Sequence, residues 1–214
     1  MLAFLARTPL KLVLVDRWRG RWLERTNVAA RVAAVELFVL VAFVAGAKLG
    51  TDEPFWWPLL AAAPLIAIEL WFDMRSRGRR LLPELAGTVG IGSVAAAIAL
   101  ADGADTALAL GLWVVVAARG AAAIPYVRTQ VLRLRGAPYH LWHSDLAQAL
   151  GVVAVTVAWA VDVVPLAAAF AIVTIAVFNV GAVRAGVRPA KVIGLQQMVF
   201  GIGVVVVTTI AVLA

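Results

Sequence analysis

The chain has no cysteine. That removes disulfides, thiolate nucleophiles, iron–sulfur clusters and zinc ribbons together. It has only two histidines, His140 and His143, too few for an ordinary haem or transition-metal site. Charge is scarce as well. Charged residues make up 14% of the 214, against about 25% in soluble domains. What fills the chain instead is apolar: 64% of residues are hydrophobic and the mean hydropathy is +0.96. A soluble fold of this composition would expose apolar patches that monomers rarely carry, and disorder needs low hydrophobicity. The composition therefore specifies an integral membrane protein.

The few charges are unbalanced, 19 basic against 12 acidic, for a net +7. A soluble chain with this excess would suggest nucleic acid. In a membrane protein the excess follows from the enrichment of Lys and Arg on the cytoplasmic side, so no nucleic-acid partner is predicted.

A membrane helix needs about 20 apolar residues. Seven stretches qualify: 29–49, 55–74, 82–101, 105–127, 144–163, 165–183 and 193–213. They do not alternate with period two as barrel strands do. The expected fold is thus all-α, a polytopic transmembrane bundle of about seven spans. The segments placed on the N-terminal side carry Arg7, Lys11, Arg17, Arg19, Arg21, Arg25 and Arg31, then Arg75, Arg77, Arg79 and Arg80, then Arg128, Arg133 and Arg135, and finally Arg184, Arg188 and Lys191. These are 17 of the 19 basic residues. The opposite loops carry Asp52, Glu53, Asp102, Asp105 and Asp162, with Lys48 as their one basic residue. The positive-inside rule then predicts a cytoplasmic N-terminus and an external C-terminus.

Two parts follow from this division. Residues 1–28 form a basic segment in which Leu10, Val13, Leu14, Trp18 and Trp22 alternate with Lys11, Arg17, Arg19 and Arg21. That pattern predicts an amphipathic helix able to lie among anionic headgroups, or else a plain basic cytoplasmic tail. Residues 29–214 form the seven-span domain. Trp56, Trp57, Trp71 and Trp142 fall at span ends, where interfacial aromatic belts sit. Gly90, Gly92, Gly111, Ala121–Ala123, Gly201 and Gly203 read as close-packing positions between helices.

Polar groups within spans need an account, because lipid cannot satisfy them. Glu36 lies in the first span. Glu69 and Asp73, one turn apart, share a face near the inner end of the second. Glu84 follows Pro83 at the start of the third. Arg119 lies inside the fourth, with Tyr126 and Arg128 beyond it. Asn179 and Arg184 end the sixth, Lys191 precedes the seventh, and Gln196 and Gln197 open it. Nearly all of them fall in the cytoplasmic half. Two readings remain open. They are interhelical pairs that hold the bundle together, or they line a cytoplasm-facing polar pocket beneath an apolar chamber, suited to a ligand with an anionic head and a hydrocarbon tail. The candidate pocket comprises Glu69, Asp73, Glu84, Arg119, Tyr126, Arg128, Arg184, Lys191, Gln196 and Gln197. His140, His143 and Asp145 have a spacing that metal sites use, but with Trp142 between the histidines they read as an interfacial loop. No metal and no cofactor is predicted.

Three motifs carry a family resemblance. They are Leu81-Leu82-Pro83-Glu84-Leu85-Ala86-Gly87, Tyr126-Val127-Arg128-Thr129-Gln130-Val131-Leu132-Arg133 with Arg135-Gly136 after it, and Arg188-Pro189-Ala190-Lys191-Val192-Ile193-Gly194. In this order they resemble the YwiC-like family of bacterial integral membrane proteins, over roughly residues 55–214. The His-Gly-Ala-Trp segment of family members has no counterpart in residues 1–28. The resemblance implies a multi-pass protein of the bacterial inner membrane and no particular reaction. The layout is also loosely similar to UbiA-type prenyltransferases. Those carry two Asp-rich Mg²⁺-pyrophosphate motifs, of which Glu69 and Asp73 match part of one.

No nucleophile–base pair, metal cluster or phosphate loop appears. The first expectation is therefore a non-enzymatic accessory or scaffold, or a lipid-binding bundle, whose partners are membrane lipids and partner membrane subunits. The alternatives are a UbiA-like enzyme acting on an isoprenoid or phosphorylated lipid, and a small transporter with Pro64 and Pro125 as candidate span breaks.

Overall fold

A computed structural model describes residues 2–51, 54–75 and 80–214, with side chains from residue 8 onward. Eight helices follow one another: α1 (Leu2–Trp18), α2 (Glu24–Gly50), α3 (Trp57–Met74), α4 (Leu81–Ala101), α5 (Thr106–Leu134), α6 (Leu141–Ala160), α7 (Leu166–Ala182) and α8 (Ala190–Leu213). No strand occurs among the described residues. This is the polytopic helical bundle expected from composition. Six helices, all but α1 and α7, are long and apolar enough to cross a membrane. The expected sixth span, α7, is apolar but has 17 residues, or about 26 Å at the helical rise, a little less than the hydrocarbon thickness.

Local chemistry sets the helix ends. Asp105 caps α5 by accepting a hydrogen bond from the Leu108 N–H at 2.8 Å, which satisfies one of the donors a helix start leaves open. Pro165 and Pro189 stand immediately before α7 and α8, and Pro83 sits in the first turn of α4, where a missing N–H costs nothing. Gly20, at φ +63°, ends α1: its left-handed backbone lets the Arg21 N–H reach back to the Asp16 carbonyl at 2.9 Å. Pro64 and Pro125 lie inside α3 and α5, and both helices continue through them. The broken spans that a transporter reading would use are therefore not present at these prolines.

Short connections make consecutive helices antiparallel, so the ends of α3, α5 and α7 lie with the starts of α4, α6 and α8. This basic end carries Arg75, Arg80, Arg128, Arg133, Arg184 and Arg188. Asp102, Asp105 and Asp162 lie at the other end, here called the acidic end. At the centre, α5 packs against α4, α6, α7 and α8, while α3 covers the far side of α4 and α1 packs on α2 and α3. Small residues allow these approaches. Gly111 of α5 meets the Val163 carbonyl, Gly120 meets Thr88 of α4, and Gly92 of α4 receives the Trp113 ring of α5. Trp113 also donates its indole N–H to the Val89 carbonyl at 2.8 Å. Val115, Val155, Ile172 and Val204 close the core between α5, α6, α7 and α8.

The first two helices are attached differently. In α2, only Thr26, Ala29 and Ala33 are buried, and Phe38, at 74% exposure, faces outward with Val41 and Phe43. Helix α1 forms within the basic N-terminal segment. Leu10, Lys11, Leu12, Val13, Leu14 and Val15 are all half-buried, because α2 and α3 both pack on it.

Candidate functional site

The polar residues of the basic half separate into several groups. The largest lies between α5, α6, α7 and α8 and closes on itself. Arg119 of α5 donates through Nη2 to the Gln197 backbone carbonyl at 2.8 Å and to its Oε1 at 2.9 Å. Gln197 of α8 donates to Asn179 Oδ1 of α7 at 3.2 Å. Asn179 donates to Gln148 Oε1 of α6 at 3.5 Å. Gln148 then donates to the Ala122 carbonyl at 2.8 Å, less than one turn from Arg119. Four helices are thus tied by one ring of side chains.

A second layer lies two turns further along α5. The Tyr126 hydroxyl accepts from Gln130 and from Gln196, each at 3.4 Å, and Arg188 donates to Gln196 Oε1 at 3.2 Å. Gln130 also reaches the Ala182 carbonyl at 3.2 Å. Arg133 completes the layer on the Val183 carbonyl and, at 3.0 Å, on that of Ala185. Ala182 and its cap Val183 end α7, where carbonyls lack a partner inside their own helix, and Ala185 lies in the turn beyond. At the rim, Arg184 pairs with Asp145 through two hydrogen bonds of 2.9 and 2.7 Å. This bidentate contact holds the guanidinium above its ordinary value.

The carboxylates lie elsewhere. Asp73 is buried and pairs with Lys11 of α1 at 2.8 Å. Glu69, one turn before it, lies against Gly87 of α4. Glu84 faces Arg128 at 3.7 Å, with both partners partly exposed, a geometry that contributes little to stability. The candidate pocket therefore divides. Arg119, Tyr126, Gln196 and Gln197 belong to the α5–α8 network, Glu84 and Arg128 to the α4–α5 edge, Glu69 and Asp73 to α3, and Arg184 to Asp145. Lys191 is exposed at the start of α8 and makes no ion pair among the described residues. Arg119, which the sequence sets against carboxylates, instead finds neutral amides: it is 8% exposed and its Nε has no hydrogen-bond partner.

Among the described residues, no three His, Asp or Glu side chains converge as metal ligands. Glu69 lies against Gly87 of α4, and Asp73 pairs with Lys11 of α1. His143 stacks on Trp142 with ring centres 3.9 Å apart, and Asp145 is engaged by Arg184. Gln130, Arg133 and Gln148 were missing from the sequence-based set. Their signal was present: Arg119, Tyr126 and Arg133 repeat at seven-residue spacing along one face of α5, and Ser144, Gln148, Gly151 and Val155 mark the inward face of α6.

Space for a ligand opens in the other half of the bundle. A groove of about 810 Å³ runs between α4, α5 and α8. Its walls are apolar (Ile98, Ala99, Val115, Val116, Val204 and Val205 among them), with Asp102 toward the acidic end. Thr208 also lines it; the residue is buried and its hydroxyl has no hydrogen-bond partner.

Comparison with known proteins bears on α1 to α4. Residues 1–99 match the YwiC-like protein family. The matched stretch includes the Leu81–Gly87 motif. It also includes residues 1–28, so the likeness extends to the basic N-terminal segment, which the motif-based reading had left outside it. The motifs at Tyr126 and Arg188 fall beyond the YwiC-like stretch. No curated protein and no solved structure matches the chain.

Proposed function

We propose that this chain is a non-enzymatic lipid-binding bundle of the bacterial inner membrane, with its basic end in the cytoplasm. The observation that carries the proposal is the groove between α4, α5 and α8. At about 810 Å³ it falls in the size range of small-molecule sites, and like them it is mostly apolar with few polar groups. Thr208 lines it as well. A lipid tail fills such walls. The polar network between α5 and α8 supports the same reading from the other side, since most of its groups are engaged with one another and with backbone carbonyls. The distribution of arginines supports the orientation.

Native mass spectrometry of protein gently extracted from its host membrane tests this. The wild type is expected to retain a discrete lipid adduct. Ala99→Phe, which places a ring in the groove, is expected to retain less of it while keeping its unfolding midpoint. An adduct unchanged in Ala99→Phe excludes the groove, and a co-purifying subunit without lipid replaces the lipid-binding role with an assembly role.

A further inference from the structure

At the basic end of α3, Arg75 lies over two indole rings. Its guanidinium carbon is 4.1 Å from the centre of Trp71, one turn earlier on the same helix, and 5.4 Å from that of Trp18, the last residue of α1. The two rings are 6.2 Å apart and tilted by 60°. All three residues are exposed. Both indoles lie within cation–π reach of the guanidinium, whose edge carries the N–H donors. Among the described residues no side chain or carbonyl accepts from that edge. The neighbouring carboxylates are engaged elsewhere, Asp73 with Lys11 and Asp16 with Thr26 and Arg25.

From this geometry we infer an anionic phospholipid site in which the phosphate sits on the edge of Arg75. Charge complementarity argues for that occupant. Arg17 and Arg21 flank Trp18 in sequence, Arg80 follows soon after Arg75, and all three are exposed; the planar fork of arginine suits two oxygens of one phosphate. Height argues for it too. Arg75 directly follows a helix long enough to span the membrane, and tryptophan side chains settle at headgroup level. A guanidinium held against two indoles is already ordered before the lipid arrives, so less rotamer freedom is lost on binding. The site extends the lipid-binding reading but lies on a different surface from the groove, and either can fail alone.

The test uses the full chain, delipidated in detergent and offered equal amounts of phosphatidylglycerol and phosphatidylcholine, with adducts read by native mass spectrometry. The wild type is expected to retain phosphatidylglycerol preferentially. Arg75→Gln is expected to reduce that adduct about tenfold, the scale of losing a charge-assisted contact, with its unfolding midpoint unchanged because the residue is exposed. Arg75→Lys keeps the charge without the stacked fork and is expected to fall between the two. Ala99→Phe is expected to keep the preference. Equal binding by Arg75→Gln and wild type overturns the inference. So does a fall in midpoint with phosphatidylglycerol binding intact, which assigns the stack to holding α1 on α3. Loss of the preference in Ala99→Phe but not in Arg75→Gln overturns it as well, and leaves the groove reading in place.

Discussion

Arg119 and Asn179 belong to the same ring of hydrogen bonds, yet their removal is expected to have opposite effects. Asn179→Leu cuts two interhelical bonds, to Gln197 and to Gln148, and leaves buried amide groups behind. A loss of about 1–3 kcal/mol follows, read as a lower unfolding midpoint in detergent. Arg119→Leu removes a cation whose burial near the middle of a span costs about 2.5–3.5 kcal/mol on insertion scales. Its two bonds return about 0.6 kcal/mol each on the membrane average. The midpoint of Arg119→Leu is therefore expected to hold or rise, and a loss above about 2 kcal/mol would reveal a buried counter-charge. Asp16 gives a third prediction at this scale. The Thr26 hydroxyl, donating at 2.7 Å, and then Arg25 hold its carboxyl below the ordinary 3.8. A carboxylate favoured in this way stabilises the fold above pH 3.8, and the contribution disappears as the pH falls through the lowered folded value. Thr26→Val is expected to move the Asp16 titration, followed by NMR, back up toward 3.8.

Helices meet in this bundle where side chains are smallest, and glycines at two kinds of position separate packing from propensity. At Gly111 an added Cβ meets the Val163 carbonyl, a backbone atom that cannot turn aside. Gly111→Ala is expected to cost about 1–3 kcal/mol as overpacking. At Gly46, inside α2, an added Cβ meets nothing, and Gly46→Ala is expected to gain about 0.5–1 kcal/mol. Both are read from unfolding midpoints, and equal shifts would mean that α5 does not approach the loop after α6 as closely as described. The elements themselves were legible in the sequence, because membrane thickness fixes a length of apolar chain that short Pro, Gly and Asp breaks delimit. The meeting faces were less legible. Glu69 and Asp73 share a face by spacing, but α1 draws Asp73 toward Lys11, and no single-chain periodicity announces that α1 packs there. Arg119 was read against carboxylates because charge is conspicuous in an apolar span. Its partner is Gln197, through the side chain and the backbone carbonyl, and a neutral amide stands out less.

The whole molecule divides its two halves by chemistry. In the basic half, polar side chains join α5 to α8 in layers, which suits a medium where the backbone and its polar neighbours find no water. In the acidic half, the interface between α4, α5 and α8 stays open and apolar, and α2 stands with most of its surface outside the protein. The bilayer covers both, so exposure alone does not distinguish a lipid site from an ordinary lipid-facing helix. Photo-cross-linking makes that distinction most directly. Host membranes are supplied with a lipid carrying a photoreactive group along its tail, and the labelled peptides are mapped. If the chain binds lipid in the groove, label concentrates on the peptides holding Ala95–Asp102 and Val204–Leu213 and falls in Ala99→Phe. Label spread in proportion to exposure, with α2 the most heavily marked and Ala99→Phe no different from wild type, would contradict a lipid-binding function for the groove.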